Sequence, residues 1–321
     1  MKENLIKHTN LKKIRELLKS KKIATKPELA ALSGLSVVTV NSLVKTLLDC
    51  GEITEDKSIQ PELGRPALSY RFNEVSKLVL VIYMFETNND DIVCYSVCNL
   101  YGDEIETLQE KNKITTQCFD KNIQYFLNKY NNIQTIGFSI PGVEYNDEFI
   151  ICDYPDLDKK FPKIIKDRYD VDIFIENDIN SAILGYYMCN NCESIVGIYM
   201  PSKYPPGSSI CLNGKILKGK NNLAGEIKYL PCDIDWSKLP LLEKDMENFL
   251  LNVVKIYMCV YNPEQIVIYA DISENKLEQR MMSLISTDNE KLMLPRLMVK
   301  KDLNIDIKKG LISNALSRIN L

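Results

Sequence analysis

Cysteine and histidine are the residue types in this chain that could bind a metal ion or carry redox chemistry. The 321 residues include ten cysteines but a single histidine, His8. Cys189 and Cys192 have Cys-x-x-Cys spacing, whereas a structural zinc site needs four ligands and usually two such pairs. We therefore expect no metal site and no catalytic histidine, and we interpret the cysteines as reduced and mostly buried.

Short polar residues at helical spacing near the N-terminus could contact DNA. They are Ser36, Thr39, Asn41 and Ser42. The face opposite an apolar stripe of Val40, Leu43, Val44 and Leu47 holds Val38, Asn41, Ser42 and Lys45. A helix packed through its apolar stripe can lie in the major groove, with hydroxyl and amide groups facing phosphates or bases. Lys45 adds a positive charge for a phosphate.

Three predicted helices would position these side chains. The first runs from about Leu11 to Lys19, and the second covers Pro27–Leu32 after a capping box of Thr25 and Glu28. A turn at Gly34 separates it from a third helix, which Ser36 caps and which continues to about Asp49. The spacing predicts a helix–turn–helix.

Two short strands are predicted to follow as a wing, at residues 52–54 and 67–72. Between them lies Gly64-Arg65-Pro66, in which glycine allows close backbone approach and proline keeps the arm extended. Arg65 is therefore a candidate for a narrow minor groove. The alternative is a three-helix interaction module that never contacts DNA.

Composition and charge place the chain among ordinary soluble proteins, with 45% hydrophobic and 26% charged residues. Residues 1–75 hold 13 Lys and Arg against 9 Asp and Glu, whereas the remainder holds 27 against 34. A basic head on an acidic body suits a DNA-binding module fused to another domain. Apolar runs such as 79–85 are far shorter than the ~20 residues of a membrane span, and residues 1–10 lack a signal-peptide core. We expect a cytoplasmic protein with no membrane partner.

The acidic body reads as alternating strands and helices, which predicts an α/β fold. Strands are expected at 78–85, 92–100, 135–140, 171–175, 194–200, 209–212 and 265–269, and helices at about 120–130, 181–189, 243–261 and 307–319. We expect a DNA-binding domain over 1–75 and a body over 78–321. The body should have two lobes, approximately 78–185 with the C-terminal helix 306–321, and 186–305.

Several motifs of the body, taken in order, resemble the ROK family (repressor, open reading frame, kinase), which has the actin-like, sugar-kinase-like fold. They are residues 136–143 (IGFSIPGV), 175–182 (IENDINSA), 213–219 (NGKILKG), 224–227 (AGEI) and 262–268 (NPEQIVI). A winged helix with Gly-Arg-Pro in its wing is typical of the family's repressor branch. The resemblance covers nearly the whole chain.

The resemblance implies a sugar site. Asn177 and Asp178 match the family pair that contacts sugar hydroxyls, and Asp178 stands at the catalytic-base position of the kinases. Glu226 matches the family's sugar-binding glutamate, and Asp156 stands where the family often has asparagine. Lys228 and Tyr229 replace the family's Gly-His, and of the cysteine-rich zinc motif that should follow only Cys232 is present. We expect no zinc.

The resemblance also implies where a nucleotide would bind, and three segments depart from that pattern. Residues 85–91 (FETNNDD) replace a glycine turn, residues 201–207 (PSKYPPG) replace a glycine-rich loop, and residues 269–271 (YAD) replace a late Gly-Gly. Acidic residues repel a triphosphate, and prolines remove the N–H donors that hold phosphate. Phosphoryl transfer requires positioned phosphates and metal, so we expect no kinase activity and no cofactor.

The sequence thus predicts a DNA-binding transcriptional regulator, a repressor, with a catalytically dead ROK-like domain that senses a sugar or an anionic sugar derivative. We expect a homodimer or a dimer of dimers on double-stranded DNA. Two alternatives stay open: a ROK-type sugar kinase with an appended winged helix, and a dimeric DNA-binding scaffold that needs no ligand. If the pocket binds a modified or anionic ligand, Lys228 offsets Asp178 and Glu226 or meets a phosphate or carboxylate of that ligand. In a dead pocket, Lys228 only neutralises the inherited carboxylates.

Overall fold

The computed structural model describes residues 2–56, 68–87, 90–283, 291 and 293–319. They form two compact units. The first covers the described residues up to Leu78, together with the turn 99–103 and the C-terminal end from Ile319. The second covers the described residues of 79–98 and 104–318. No pattern in the sequence predicted that the turn 99–103 belongs with the first unit.

The first unit begins with three helices whose ends are set by local sequence. They are α1 (Lys2–Lys21), α2 (Lys26–Ser33) and α3 (Val37–Asp49). The Thr25 hydroxyl accepts a hydrogen bond from the Glu28 N–H, and the Glu28 carboxylate accepts one from the Thr25 N–H at 2.7 Å. Gly34 ends α2 with a φ of 69°, and the Ser36 hydroxyl caps α3 by accepting from the Thr39 N–H at 3.1 Å. The predicted capping box, turn and third helix are confirmed.

A three-stranded sheet completes the first unit. Its strands are β1 (Ile23–Thr25), β2 (Ile53–Asp56) and β3 (Ser69–Phe72), in the order β1-β3-β2 with antiparallel pairing. The β2–β3 pair forms the predicted wing, with each strand starting one or two residues later than expected. The sequence analysis missed β1 because three residues are too few to show an alternating pattern. The helices and this wing have the arrangement of a winged helix–turn–helix.

The core of the first unit fixes which face of α3 is free. Val40, Leu43, Val44 and Leu47 are at most 3% exposed, so the predicted apolar stripe packs inward. Arg15 of α1 and Glu52 form a buried ion pair, in which Arg15 Nη2 donates to Glu52 Oε1 at 2.9 Å. Because a buried charge is costly without its partner, this pair fixes α1 against the start of the wing.

The second unit contains two five-stranded sheets. The first has the order β10-β7-β4-β5-β6, and its strands are β4 (Leu78–Thr87), β5 (Asp90–Cys98), β6 (Glu104–Lys111), β7 (Ile133–Ser139) and β10 (Asp172–Glu176). The strands β4, β5 and β6 pair antiparallel, whereas β10 lies parallel to β7. A separate hairpin of β8 (Gly142–Tyr145) and β9 (Glu148–Cys152) follows β7.

The second sheet has the order β13-β12-β11-β14-β15. Its strands are β11 (Ser194–Tyr199), β12 (Gly207–Leu212), β13 (Lys215–Ile216), β14 (Gln265–Tyr269) and β15 (Arg296–Lys300). β11 lies parallel to β14 and antiparallel to β12, so the strands expected at 194–200 and 209–212 are present and pair as a hairpin. The helices of this unit are α4 (Asp120–Lys129), α5 (Phe161–Arg168), α6 (Asp178–Cys189), α7 (Glu243–Val260), α8 (Glu274–Ser283) and α9 (Asn304–Arg318).

Helices α6 and α9 cross at a point where both have glycine. A Cβ atom on Gly185 would lie 2.0 Å from the Asp306 carbonyl oxygen, and one on Gly310 would lie 1.8 Å from the Ser181 carbonyl oxygen. No side chain fits at this crossing. The close approach places the start of α6, which follows β10 directly, at a fixed position relative to α9.

Several elements were not predicted from the sequence. The first helix starts at Lys2 rather than near Leu11, and β6, the β8–β9 hairpin, α5, α8 and β15 were absent from the expectation. The strand β6 alternates exposed and half-buried residues at the edge of a sheet, so it lacks the apolar signal of a central strand. None of the described helices is by itself long and apolar enough to cross a membrane; α2 and α3 together would pass by length and composition, but they are bent by 115°.

Candidate functional site

The first candidate site is the exposed face of α3. Val38 is 79% exposed, and Asn41, Ser42 and Lys45 are exposed as well. Thr39 is partly buried, and its hydroxyl forms a 2.8 Å hydrogen bond with the hydroxyl of Ser36. The structure therefore brings these residues together along one side and one end of the helix. Polar groups on an exposed helix face can reach base edges and phosphates.

The wing contributes one candidate for contact with DNA, Arg65. This residue and its neighbours Gly64 and Pro66 lie outside the described residues. The strands on either side are in register, with Ile53 opposite Phe72 and Asp56 opposite Ser69. The Arg71 guanidinium pairs with Asp56 at 2.9 Å, which ties the two strands together near the end of β2.

The second candidate site is a cleft of about 650 Å³ in the second unit. Its lining comes from the segments that follow the carboxyl ends of four strands: 141–142 after β7, 177–180 after β10, 200–206 after β11 and 270–271 after β14. Open α/β sheets bind ligands in the crevice outside the carboxyl ends of their strands. The sheet topology therefore makes this cleft a candidate ligand site.

Asp178 lies in this cleft at the first position of α6. Its Oδ1 accepts a hydrogen bond from the Ile179 N–H at 2.7 Å. Burial is the main reason that the pKa of the Asp178 carboxyl is raised to about 7. The negative charges of Asp153 and Glu226 contribute to this rise, and hydrogen bonds from backbone N–H groups oppose it. The carboxyl group can thus exchange a proton near neutral pH, and it can accept a hydrogen bond from a ligand hydroxyl.

Asn177 holds the start of α6 in place. Its Oδ1 accepts from the Ile179 N–H at 3.1 Å, and its Nδ2 donates to the Gly142 carbonyl oxygen at 3.0 Å. The same side chain therefore caps α6 and ties it to the turn after β7. Asn177 lines the cleft, but both ends of its amide are already engaged with the backbone.

Glu226 and Lys228 form an ion pair on the cleft wall, with 3.1 Å between Lys228 Nζ and Glu226 Oε2. Their side chains are 18% and 17% exposed, so the pair is screened less than a surface pair. Trp236 Nε1 donates to the Lys228 carbonyl oxygen at 3.0 Å, which fixes the backbone of this segment. The pair supplies a hydrogen-bond acceptor and an ammonium donor to the same part of the cleft.

Asp153 is a cleft residue that the sequence analysis missed. Burial raises the pKa of its carboxyl, Lys228 lowers it and Glu226 raises it, which places the three charged groups near one another. A signal was available, because Asp153 follows β9 directly and such positions at strand ends reach binding crevices. Periodicity did not reveal β9, so the signal was not used.

Asp156 differs from the expectation. It is exposed, forms a 3.0 Å ion pair with Lys113, and is not among the residues that line the cleft. The segment between Asp153 and α5 turns away after Tyr154, whose side chain is buried and lines the cleft. The structure therefore offers Asp153 and Tyr154, rather than Asp156, to a ligand.

The other end of the cleft is where the resemblance would place a nucleotide. Lys203 forms an ion pair with Glu86, which joins the loop after β11 to the end of β4. Burial and the charge of Glu86 raise the pKa of the Asp91 carboxyl. Pro201, Pro205 and Pro206 line this end and have no N–H to offer a phosphate. Among the described lining residues, seven carboxylates face three lysines, a balance that disfavours a triphosphate.

The Cys-x-x-Cys pair does not form a reactive dithiol in this structure. Burial and the neighbouring Glu264 carboxylate raise the pKa of the Cys192 thiol to about 11, and its Sγ donates to Glu264 at 3.2 Å. Cys189 is exposed, and its Sγ lies 3.2 Å from Lys309 Nζ. A thiol that stays protonated is a poor nucleophile and a poor metal ligand.

These features define a class of protein that joins a winged helix–turn–helix unit to a two-sheet α/β body with a cleft at its strand ends. Residues 95–240 match the ROK family. The match covers a little under half of the chain.

The chain is also similar to individual proteins. A xylose repressor of Bacillus subtilis (strain 168) is 24% identical over 249 residues, which are 74% of this chain and 64% of that protein, so this chain spans less than two thirds of it. The structure of a ROK family transcriptional regulator, a homologue of the E. coli MLC protein, covers 97% of this chain with 96% of its own, at a TM-score of 0.65 and 16% identity. A ROK hexokinase from Thermus thermophilus covers 74% with 97% of its own, at a TM-score of 0.53 and 13% identity.

The ROK fold raises the question of zinc, and the residues present do not fit such a site. Among residues of known placement, no group of three or more histidine, cysteine, aspartate or glutamate side chains could hold a metal ion. Cys232 is exposed, and Lys228 and Tyr229 stand where the resemblance calls for Gly-His. An ammonium group and a phenol at these positions supply no ligand pair for zinc.

Proposed function

We propose that this protein is a DNA-binding transcriptional regulator, a repressor, whose body binds a sugar-like ligand and transfers no phosphate. The observation that carries the proposal is the exposed polar face of α3 beside a paired wing, in one chain with a ROK family domain. The similarity to a xylose repressor supports the same function.

The winged unit has what DNA recognition requires. Asn41 is an amide at an exposed position of α3, and amides bind adenine through paired hydrogen bonds in the major groove. Lys45, one turn further, has no described ion-pair partner and can neutralise a phosphate. In the alternative of a module that binds protein only, the exposed side chains of α3 would be largely apolar, whereas only Val37 and Val38 are.

Selection of bound duplexes from a random pool tests this function. We expect the protein to enrich a defined sequence and to bind it at least 10³-fold more tightly than random DNA, the lower end of the usual range for specific DNA-binding proteins. Enrichment of no sequence at about 100 mM salt would contradict the proposal.

The cleft supports a ligand rich in hydroxyl groups. Carboxylates of Asp153, Asp178 and Glu226 accept hydrogen bonds, and Lys228 donates. A sugar offers both donors and acceptors at short spacing, so it can satisfy these groups after it displaces water. The carboxylates outnumber the lysine, so we favour a neutral sugar; an anionic derivative would have to draw Lys228 away from Glu226.

Calorimetric titration with neutral sugars and with phosphosugars separates the ligand classes. Binding of a neutral sugar that is lost in Glu226→Gln supports the proposed cleft, and Lys228→Met should abolish binding of a phosphosugar more strongly than binding of a neutral sugar. No heat with any member of the panel would favour the dead pocket, in which the body serves only as a scaffold.

The loss of phosphate donors supports a body without catalysis. Three prolines and the Glu86–Lys203 ion pair occupy the end where a triphosphate would need backbone N–H groups. The kinase alternative has one observation in its favour, the carboxyl of Asp178 at the position of a base. An ADP-release assay with common hexoses decides between them, because turnover that vanishes in Asp178→Asn would establish a kinase.

We propose a homodimer, or a dimer of dimers, as the DNA-binding form. Two winged units on a symmetric site would contact half-sites one helical turn or a multiple apart. Light scattering of the purified protein gives the oligomeric state, and the spacing within the selected sequences gives the geometry. A monomer bound to a single unrepeated site would contradict this part of the proposal.

A further inference from the structure

We infer that α1 supplies a second DNA contact, a phosphate site in the groove between α1 and α3. The groove is about 220 Å³ in volume and is lined by Ile6, Lys7, Asn10, Thr39, Ser42 and Leu43. This inference rests on the proposed DNA-binding function, and it adds an element that the sequence analysis did not assign to DNA.

Both walls of the groove carry polar groups beside the apolar side chains of Ile6 and Leu43. Lys7 and Asn10 lie one turn apart on α1, and Thr39 and Ser42 lie one turn apart on α3. Together they offer an ammonium group, an amide and two hydroxyl groups. These are the groups that proteins use to hold the phosphates of a DNA backbone.

Lys7 is free to take part, because the structure gives it no ion pair or hydrogen bond among the residues it describes. Three other cations of the first unit are engaged: Arg15 pairs with Glu52, Arg71 pairs with Asp56, and the Lys19 ammonium lies 4.9 Å from the centre of the Phe72 ring. A lysine without a described partner, next to the amide of Asn10 and the hydroxyl of Ser42, suits a highly charged anion.

The groove between α1 and α3 borders the face of α3 that would enter the major groove of DNA. Thr39 and Ser42 flank Val38, Asn41 and Lys45 on α3, so a duplex that contacts these three brings one of its backbones beside the groove. The α1 helix starts at Lys2 rather than Leu11, and this extra length places Lys7 and Asn10 next to α3. Phosphate contacts of this kind set the orientation of a DNA-binding helix without reading sequence.

The salt dependence of binding tests the inference. Each phosphate contact contributes about 0.9 to the slope of log Kobs against log[salt] on B-form DNA. The slope is negative, and we expect Lys7→Ala to reduce its magnitude by about one, on the selected duplex and on random DNA alike. Equivalently, the affinity ratio of wild type to Lys7→Ala should fall by about 3.5-fold between 50 and 200 mM salt.

Lys12→Ala is the matched control, since Lys12 is an exposed lysine of the same helix and is not among the groove residues. It should leave the slope within about 0.3 of wild type. A thermal melt of each variant shows whether the fold is intact, and Lys7→Arg, which keeps the charge, should restore the slope.

The outcomes separate the two proposals. Wild-type protein that binds no duplex contradicts the DNA-binding function itself. Wild-type binding with equal slopes for Lys7→Ala and Lys12→Ala overturns the α1 site and leaves the DNA-binding function standing. A change in sequence preference in Lys7→Ala, rather than a uniform loss, would also overturn it, because a phosphate contact carries no base information.

Discussion

Lys228 and Glu226 form a half-buried ion pair, 3.1 Å apart, in a cleft that also holds Asp153 and Asp178. Lys228 thus offsets the charges of Glu226 and Asp153. The pair has two consequences: it sets the charge that a ligand meets, and it limits the repulsion within the folded protein.

Replacing Lys228 should destabilise the protein most at high pH. In Lys228→Met the carboxylates of Glu226 and Asp153 lose their counter-charge, and we expect the free energy of unfolding at pH 8 to fall by roughly 1–3 kcal/mol. The loss should shrink towards pH 5, because Asp178, with a pKa of about 7, is protonated there, and because burial raises the pKa of Asp153 above its usual value. Urea unfolding at the two pH values measures it.

Lys238→Met is the matched control. Lys238 pairs with Asp235 at 3.2 Å, but its side chain is 81% exposed, and such pairs contribute little to stability. An equal loss of unfolding free energy in Lys238→Met and Lys228→Met would show that the Lys228–Glu226 pair contributes no more to stability than an exposed pair.

Asp178→Asn should stabilise the protein above neutral pH. The native carboxyl has a pKa of about 7, against an unfolded value near 4, so the unfolded state releases its proton first as pH rises. The protonated Asp178 carboxyl makes its full contribution to the free energy of unfolding below pH 4. This contribution is lost as the pH rises from 4 to 7. The amide in Asp178→Asn carries no charge at any pH. We therefore expect the free energy of unfolding of this variant at pH 8 to exceed that of wild type by roughly 2–4 kcal/mol.

Unfolding curves of Asp178→Asn and wild type between pH 4 and 8 check this prediction. The variant should have the flatter dependence on pH over this window. A difference that stays constant with pH would mean that Asp178 is ionised throughout and that its pKa is not raised.

The α6–α9 crossing should tolerate no side chain. In Gly185→Ala the new Cβ would meet the Asp306 carbonyl oxygen at 2.0 Å, which is backbone and cannot move aside. We expect a loss of roughly 2–4 kcal/mol in the free energy of unfolding, in the upper range for overpacked cores. Chemical denaturation gives the value.

Gly207→Ala makes the same substitution where there is room. The nearest atom to its new Cβ is Ile179 Cγ2 at 3.8 Å, an ordinary contact. A loss comparable to that of Gly185→Ala would indicate that the helices do not cross as closely as the structure has them.

Two positions on α3 should separate affinity from specificity. Asn41→Ala should reduce discrimination at one base pair by about 1–3 kcal/mol, because a base contact is lost. Lys45→Ala should weaken binding to all duplexes and lower the salt slope by about one. Competition binding with single-base variants of the selected duplex distinguishes these effects, and identical profiles for both variants would contradict the assigned roles.

The local sequence determined the helix–turn–helix. The capping box of Thr25 and Glu28, the left-handed Gly34 and the Ser36 cap involve residues within a few positions of one another, so their pattern is visible without a fold. The apolar stripe of α3 likewise follows from a helical period. The ROK resemblance in turn placed Asp178 and Glu226, because their motifs are contiguous in sequence.

Tertiary structure alone decided which charged groups share the cleft. Asp153 and Asp156 are three residues apart and look alike in sequence, yet one lies in the cleft and the other pairs with Lys113 on the surface. The α1 contact with α3 is of the same kind, since Lys7 and Thr39 are 32 positions apart. Local rules fix caps, turns and helix faces, whereas the proximity of distant side chains depends on how sheets and helices pack, and no short pattern records that packing.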